Sequence, residues 1–327
     1  MCANETKAAL LLSGQGAQVP GMGRALAERF PEAMELWKKA EKFSGLPLRG
    51  IYWEGDEKQD DTRNLQPALT AVNLGLWLTL ASRLRPVGTA GHSLGEYCAL
   101  AAASVLSPEQ VLELAALRGR LMAEADPEGR GAMAAVVKLN LSQAEELVRT
   151  VLRELGEGAG TPLIIANYNT PAQFVVSGAR EAVVMLVEKA REFKGRAIPL
   201  AVSGAFHSPL MEEAAKEMAV LIHKRAFAHP RFPVYCNAVG RAVSDGAQIK
   251  DLLLRQMTSP VRWIETIHAM FHDGARIFVE CSPKDVLTKM SGQILDPAEH
   301  KDAAGVAALT VSGPDDLESL SERLENA

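Results

Sequence analysis

The feature that most constrains this chain is the pentapeptide Gly91-His92-Ser93-Leu94-Gly95. Before it, Val87 to Ala90 reads as a short strand, and after it an alanine-rich stretch to about Val105 reads as a helix. A strand that turns straight into a helix over so few residues leaves no room for side chains at the flanking positions, so glycines stand there. The turn exposes the Ser93 hydroxyl at a helix N-terminus and presents the backbone N–H of Leu94 to a developing oxyanion. Two readings follow: an activated serine nucleophile, or a glycine-rich turn with an idle serine.

The rest of the chain repeats the same alternation. Ala8 to Leu12 reads as a buried strand ending in Ser13-Gly14-Gln15-Gly16, followed by a helix from about Met22 to Phe43 and an apolar helix from Ala68 to Leu84. Pro108 to Glu124 reads as a helix with Ser107 as N-cap and proline in its first position. Short apolar runs between helices indicate a parallel α/β sheet. The rhythm then changes. Strand Ala132 to Val137, helix Ser142 to Leu155, strands Pro162 to Ala166 and Phe174 to Ser177, helix Arg180 to Phe193 and strand Arg196 to Val202 spell β-α-β-β-α-β, the ferredoxin-like unit. The first rhythm resumes with helix Pro209 to His223, strand Phe232 to Cys236, helix Val261 to His272, strand Arg276 to Glu280, strand Val306 to Val311 and a last helix to about Leu324. The expected organisation is an α/β core of residues 1–130 and 203–327 with a ferredoxin-like subdomain, 131–202, inserted into it. A cleft between the two is the default place for a site.

Charge and cysteine usage narrow the class. Lys and Arg number 35 against 40 Asp and Glu, a net charge of −5, without the basic excess that marks a nucleic-acid or polybasic membrane partner. Cys2, Cys98, Cys236 and Cys281 form no Cys-x-x-Cys pair or disulfide framework. The apolar run Ala8 to Leu12 is too short for a signal peptide, and Ala71 to Leu84 too short for a membrane span. A cytoplasmic protein without membrane or nucleic-acid partner is expected.

A serine nucleophile needs a base, and seven histidines are available. His92 lies inside the turn, where nothing directs it at Ser93. His223, His268 and His272 fall in helical stretches, and His229 and His300 in polar loops, where surface or packing roles suffice. His207 precedes Ser208-Pro209, a helix start whose N-terminus disfavours the imidazolium, so it stands against all the others together. Arg118 falls in the middle of the apolar face set by Val111, Leu114, Ala115, Leu121 and Met122. A guanidinium there needs a partner: either an internal salt bridge or the carboxylate or phosphate of a substrate. Gly14-Gln15-Gly16 fits no dinucleotide or Walker motif, and its plausible task is to present backbone N–H groups.

These residues do not stand alone. Gly14-Gln15-Gly16-Ala17-Gln18, Gln66-Pro67-Ala68, Gly91-His92-Ser93-Leu94-Gly95-Glu96, Arg118-Gly119, Asn167-Tyr168-Asn169-Thr170-Pro171, Ala205-Phe206-His207-Ser208 and Gln256 through Trp263 occur in this order. Together they closely resemble the malonyl-CoA–acyl carrier protein transacylases and the related acyltransferase domains of polyketide synthases (PKS), over nearly the whole chain. The resemblance implies a hydrolase-like core with a central parallel sheet and a ferredoxin-like insert. It implies that Ser93 is the nucleophile, His207 its base, the N–H groups of Gln15 and Leu94 the oxyanion hole, and Arg118 the ligand of the malonyl carboxylate. It further implies that a main-chain carbonyl near Gln256 orients the histidine, that Gln66 and Asn167 are supporting polar groups in the cleft, and that Phe206 crowds any α-methyl on the acyl chain. Two departures are Glu280-Cys281-Ser282-Pro283, where Glu-x-Gly-Pro is common, and Leu12, where phenylalanine is common.

The implied reaction is malonyl transfer from malonyl-CoA to the phosphopantetheine thiol of acyl carrier protein, by a ping-pong route that uses neither cofactor nor metal. Fatty acid synthesis is the expected pathway and polyketide synthesis the alternative. A serine acyl-thioester hydrolase is the competing activity, and a non-catalytic carrier-docking module a third reading. Hydrolases of this type place an acid between serine and histidine, and Asp126 is the only aspartate there, although several glutamates remain. An acidic carrier needs a local basic patch on this acidic chain, and Lys189, Arg191, Lys194 and Arg196 are candidates by charge.

Overall fold

The structure, a computed structural model, describes residues 7–55, 57–156 and 161–325. Ten strands run in chain order: β1 Ala8–Leu12, β2 Gly88–Gly91, β3 Gly131–Val137, β4 Leu163–Thr170, β5 Gln173–Ala179, β6 Arg196–Pro199, β7 Val234–Cys236, β8 Arg241–Val243, β9 Ile277–Cys281 and β10 Ala307–Val311. They form two sheets, one six-stranded in the order β10-β9-β1-β2-β7-β8 and one four-stranded in the order β4-β5-β3-β6.

The six-stranded sheet is parallel from β10 through β7, and only the edge strand β8 runs antiparallel. Every residue of β1 is buried, as a strand covered by helices on both faces requires. The α/β core with a central, mostly parallel sheet is therefore present as expected. The four-stranded sheet is antiparallel throughout and carries helices Leu141–Leu155 and Arg180–Lys189, with its own apolar core around Val136, Leu147, Phe174 and Leu186. Its strands leave the first sheet after helix Pro108–Glu124 and return before helix Glu212–His223.

The four-stranded sheet is tied to the core through β4. The Tyr168 N–H donates to Val261 O at 2.9 Å, and the Val261 N–H donates to Ala166 O at 2.8 Å. This holds β4 against the segment that leads into helix Trp263–His272.

Several elements differ from the sequence reading. The expected helix from Met22 to Phe43 is two, Arg24–Arg29 and Pro31–Ser44, because Phe30 before the proline is extended (φ −119°). The apolar helix begins at Thr62, where the Asp61 carboxylate caps the Arg63 N–H, and ends at Leu80. Pro209–Met211 is a separate short turn of 3₁₀ helix ahead of Glu212–His223. Helices Leu48–Glu54, Gly246–Arg255 and Val286–Ile294 and the short strand β8 went unread. By contrast, helix Pro108–Glu124 has the expected bounds, and Ser107 and Gln110 close a reciprocal cap at its start.

Candidate active site

The turn after β2 shows why its glycines are needed. A β-carbon at Gly91 would come within 1.9 Å of the Gly95 carbonyl carbon, and one at Gly95 within 2.0 Å of the Leu12 carbonyl oxygen. The chain can cross itself this closely only without side chains there. The turn forces Ser93 into the left-handed region, at φ 51°. Such a conformation costs on the order of 1 kcal/mol or more in a non-glycine residue and persists only where neighbours hold it.

Those neighbours are identifiable. Asn237, just after β7, accepts a hydrogen bond from the Ser93 N–H at 2.7 Å and donates one to Gly91 O at 2.7 Å. One side chain thus clamps both ends of the turn. Gln256 donates to Ser93 O at 2.8 Å from the other side. Sequence reasoning missed Asn237 and read Gln256 only for its main-chain carbonyl, because each side chain acts across more than a hundred residues of chain. The only available sign of Asn237 was a polar residue next to an apolar strand.

Ser93 Oγ lies 2.6 Å from His207 Nε2. His207 Nδ1 faces two main-chain oxygens, Gln256 O at 3.0 Å and Ser259 O at 3.1 Å. Carbonyl oxygens only accept, so the ring proton sits on Nδ1 and the Nε2 lone pair faces the serine hydroxyl. The pair therefore has the geometry of nucleophile and base, with carbonyls where many serine enzymes have an acid. Burial first, and then the Arg118 charge, push His207 down to about 3, which keeps it neutral. The sequence reading assigned that neutrality to a helix N-terminus. The turn that follows His207 has only three residues, and burial does the work instead. His207 is itself at φ 57°, so both members of the pair are held in strained backbone.

The other histidine of the turn points elsewhere. His92 Nε2 pairs with Asn169 Oδ1 at 2.8 Å, and its ring meets that of Trp263 edge-on. It joins the nucleophile loop to β4.

Arg118 is 1% exposed, on the helix face where periodicity placed it. Its Nη1 donates to Gln66 Oε1 at 2.9 Å, and its Nη2 to Ser93 Oγ at 3.1 Å and Gln256 Oε1 at 3.2 Å. These partners are neutral, so the internal salt bridge left open above is not what holds it. The guanidinium also lies over the Tyr97 ring, 5.5 Å from its centre, and its buried Nε has no hydrogen-bond partner among the described residues. A buried cation whose bonds go to amides and a hydroxyl has unused capacity for an anion beside Ser93.

Gln15 and Leu94 also face the same space. A β-carbon at Gly14 would sit 2.4 Å from His92 O and 3.6 Å from Leu94 N, so the two loops are in contact. Neither the Gln15 nor the Leu94 N–H has a partner among the described residues, as an oxyanion hole requires. A cavity of about 290 Å³ joins these groups. Gln15, Gln66, Ser93, Leu94, Arg118, Asn167, Phe206 and His207 all line it, and Met122, Met133, Val175 and Leu200 make its walls mostly apolar. Gln256 sits beneath, reaching the site through its carbonyl and its side-chain amide. The catalytic, oxyanion-hole and substrate-binding candidates read from the sequence are therefore brought to one place.

The basic patch is less uniform than its charges suggested. Lys189 is spent on Glu154 at 2.8 Å and Glu192 at 3.9 Å, whereas Arg191, Lys194 and Arg196 are exposed. No helix among the described residues is long and apolar enough to cross a membrane.

Comparison with known proteins agrees with this geometry. Residues 10–324 match the acyl transferase domain family. A malonyl CoA-acyl carrier protein transacylase of Haemophilus influenzae is 36% identical over 294 residues, covering 88% of this chain and 92% of its own. One from Bacillus subtilis is 35% identical over 329 residues, covering 98% and 100%. Among solved structures, a malonyl-transacylase in complex with its type II PKS acyl-carrier protein matches with a TM-score of 0.87 at 32% identity, covering 98% of this chain and 100% of the other. With its serine turn, facing histidine and whole-length match, this chain belongs to the acyl transferase family that includes the malonyl CoA-acyl carrier protein transacylases.

Proposed function

We propose that this chain transfers a malonyl group from malonyl-CoA to the phosphopantetheine thiol of an acyl carrier protein, through a malonyl ester of Ser93. The observation that carries the acyl choice is Arg118, a buried cation 3.1 Å from Ser93 Oγ with neutral partners. A dicarboxylic half-thioester supplies the missing anion at the right distance from the reacting carbonyl.

In the first half-reaction His207 Nε2 takes the Ser93 proton as Oγ attacks the thioester carbonyl. The Gln15 and Leu94 N–H groups receive the oxyanion, and its collapse expels coenzyme A, whose sulfur takes the proton back from His207. In the second, His207 deprotonates the carrier thiol, which attacks the malonyl ester, and the proton returns to Ser93. The Gln256 and Ser259 carbonyls hold the ring and favour the imidazolium formed in each half. General-base catalysis contributes roughly 10²- to 10⁴-fold. An oxyanion donor contributes about 10²- to 10³-fold. All these groups belong to the chain, so the reaction as read uses no cofactor or metal.

The product is an extender unit for fatty acid synthesis, with polyketide synthesis the alternative setting. Cytoplasmic placement accords with Cys98, Cys236 and Cys281, which are buried free thiols. The deciding experiment is incubation with malonyl-CoA followed by intact-mass analysis. A malonyl adduct on Ser93 that passes to added holo-carrier protein is expected. Release to water faster than to the carrier would make the enzyme a thioester hydrolase instead, and failure to form an adduct would reject catalysis through Ser93.

A further inference from the structure

Beneath the nucleophile turn lies a carboxylate that the reaction above does not use. Glu96, in the first turn of helix Gly95–Ala102, is 1% exposed. Its Oε2 accepts from Gln256 Nε2 at 2.9 Å and from the Asn237 N–H at 3.3 Å. Gln256 Nε2 also donates to Ser93 O at 2.8 Å, so both hydrogens of that amide are engaged. Its oxygen is thereby turned toward Arg118 Nη2, 3.2 Å away. The reversed amide would set its oxygen against a carboxylate and a carbonyl, so Glu96 and Ser93 O fix its direction.

The result is a relay from Glu96 through the Gln256 amide to Arg118. A carboxylate bound directly to Arg118 would occupy the fork that the acyl group needs. With no carboxylate nearby, a buried guanidinium would be left uncompensated. One amide of separation offsets the charge while every direct partner of Arg118 stays neutral. We propose that Glu96 is a positioning residue that aims and partly neutralises Arg118 through Gln256, and so sets how strongly the site prefers acyl groups carrying a carboxylate over neutral ones.

This rests on the malonyl-transfer reading and deepens it. The titratable or charged groups around Glu96 are Tyr97 on its own helix, Arg118 on the neighbouring helix and Cys236 at the end of β7. Burial pushes Tyr97 up to about 12 and drives Cys236 further still, while His207, facing Arg118, is down at about 3. Burial raises Glu96 itself to about 7. It is therefore the group near Arg118 that changes charge around neutrality. As pH rises Glu96 becomes anionic, offsets Arg118 more fully and weakens the hold on a carboxylate.

The test compares kcat/KM for malonyl-CoA and acetyl-CoA, each read as acyl-Ser93 formation, between pH 6 and 8. Steps common to both thioesters cancel in the ratio. For the unaltered enzyme the malonyl-over-acetyl ratio is expected to fall as pH rises, by on the order of tenfold for one charge at this remove. In Glu96→Gln, which keeps an acceptor for Gln256 but carries no charge, the ratio is expected to be pH-independent and at least as high as the low-pH value. The pH profile of the unaltered enzyme decides the matter even where the variant fails to fold. A flat ratio in the unaltered enzyme, or the same slope in Glu96→Gln, overturns the inference while leaving malonyl transfer intact. Failure of the unaltered enzyme to load malonyl at any pH overturns both.

Discussion

His207 turns its Nδ1 to the carbonyls of Gln256 and Ser259 and its Nε2 to Ser93 Oγ, 2.6 Å away. No formal charge stands behind the base, so its proton affinity is set by burial and by Arg118. An ordinary histidine base, with a pKa of about 6.5, is progressively protonated and lost below neutrality. Here the depressed value keeps the ring neutral, and Ser93 acylation by acetyl-CoA, which has no carboxylate to report on Arg118, is expected to hold its rate from pH 8 down to about pH 5. Stopped-flow acylation across that range checks this, and a steep fall centred near 6.5 would contradict the buried, neutral base. His207→Ala should lower the acylation rate by about 10²- to 10⁴-fold.

Arg118→Ala is expected to weaken malonyl transfer far more than acetyl transfer. Truncating one side of a buried carboxylate–guanidinium pair costs about 2–5 kcal/mol in the complex. Acetyl-CoA presents no carboxylate and should lose much less. Paired kcat/KM measurements read the difference, and equal losses would make Arg118 a structural residue.

Asn237→Ala removes two hydrogen bonds at once, leaving the Ser93 N–H and Gly91 O without the partner that holds the turn. Unsatisfied buried groups cost about 1–3 kcal/mol each. A lowered denaturation midpoint is expected together with a fall in kcat, since the left-handed Ser93 has lost its clamp. Thermal unfolding and adduct formation measured on the same sample test both halves.

Phe206 is 5% exposed and lines the cavity next to the base. Phe206→Ala should open space where an α-substituent would sit, raising the kcat/KM of methylmalonyl-CoA relative to malonyl-CoA. Competition between the two thioesters, read by intact mass, gives the ratio directly. An unchanged ratio would show that another wall excludes the methyl group.

Charge reversal at Arg191 and Arg196, which are exposed on the four-stranded lobe, should raise KM for the carrier protein and leave that for malonyl-CoA unaltered. The effect should shrink as salt is added. Lys189→Glu serves as a contrast, because Lys189 is already paired with Glu154 and Glu192. Equal effects on both substrates would reject this surface.

What could be read along the chain was what depends on local spacing. The alternation of apolar runs and helices implied the parallel core sheet and the separate antiparallel one. The glycines around Ser93 implied a turn that only glycine permits, and periodicity put Arg118 on a buried face. Short elements between polar loops, such as helix Val286–Ile294 and strand β8, were missed because their patterns are too brief to stand out.

The serine turn thus followed from the sequence by itself in part, since Gly91 is demanded by the backbone of Gly95 and Glu96, four and five residues on, whereas Gly95 is demanded by Leu12 and Ser13, which only the packed sheet brings near. The family resemblance, too, was carried by motifs in order. Only the tertiary structure decided what surrounds Ser93: the pairing with His207, the Asn237 clamp, and the relay from Glu96 through Gln256 to Arg118. Each joins residues far apart in the chain, and a hydrogen bond depends on distance and direction in space. Sequence spacing carries neither until the sheet and its helices have been packed.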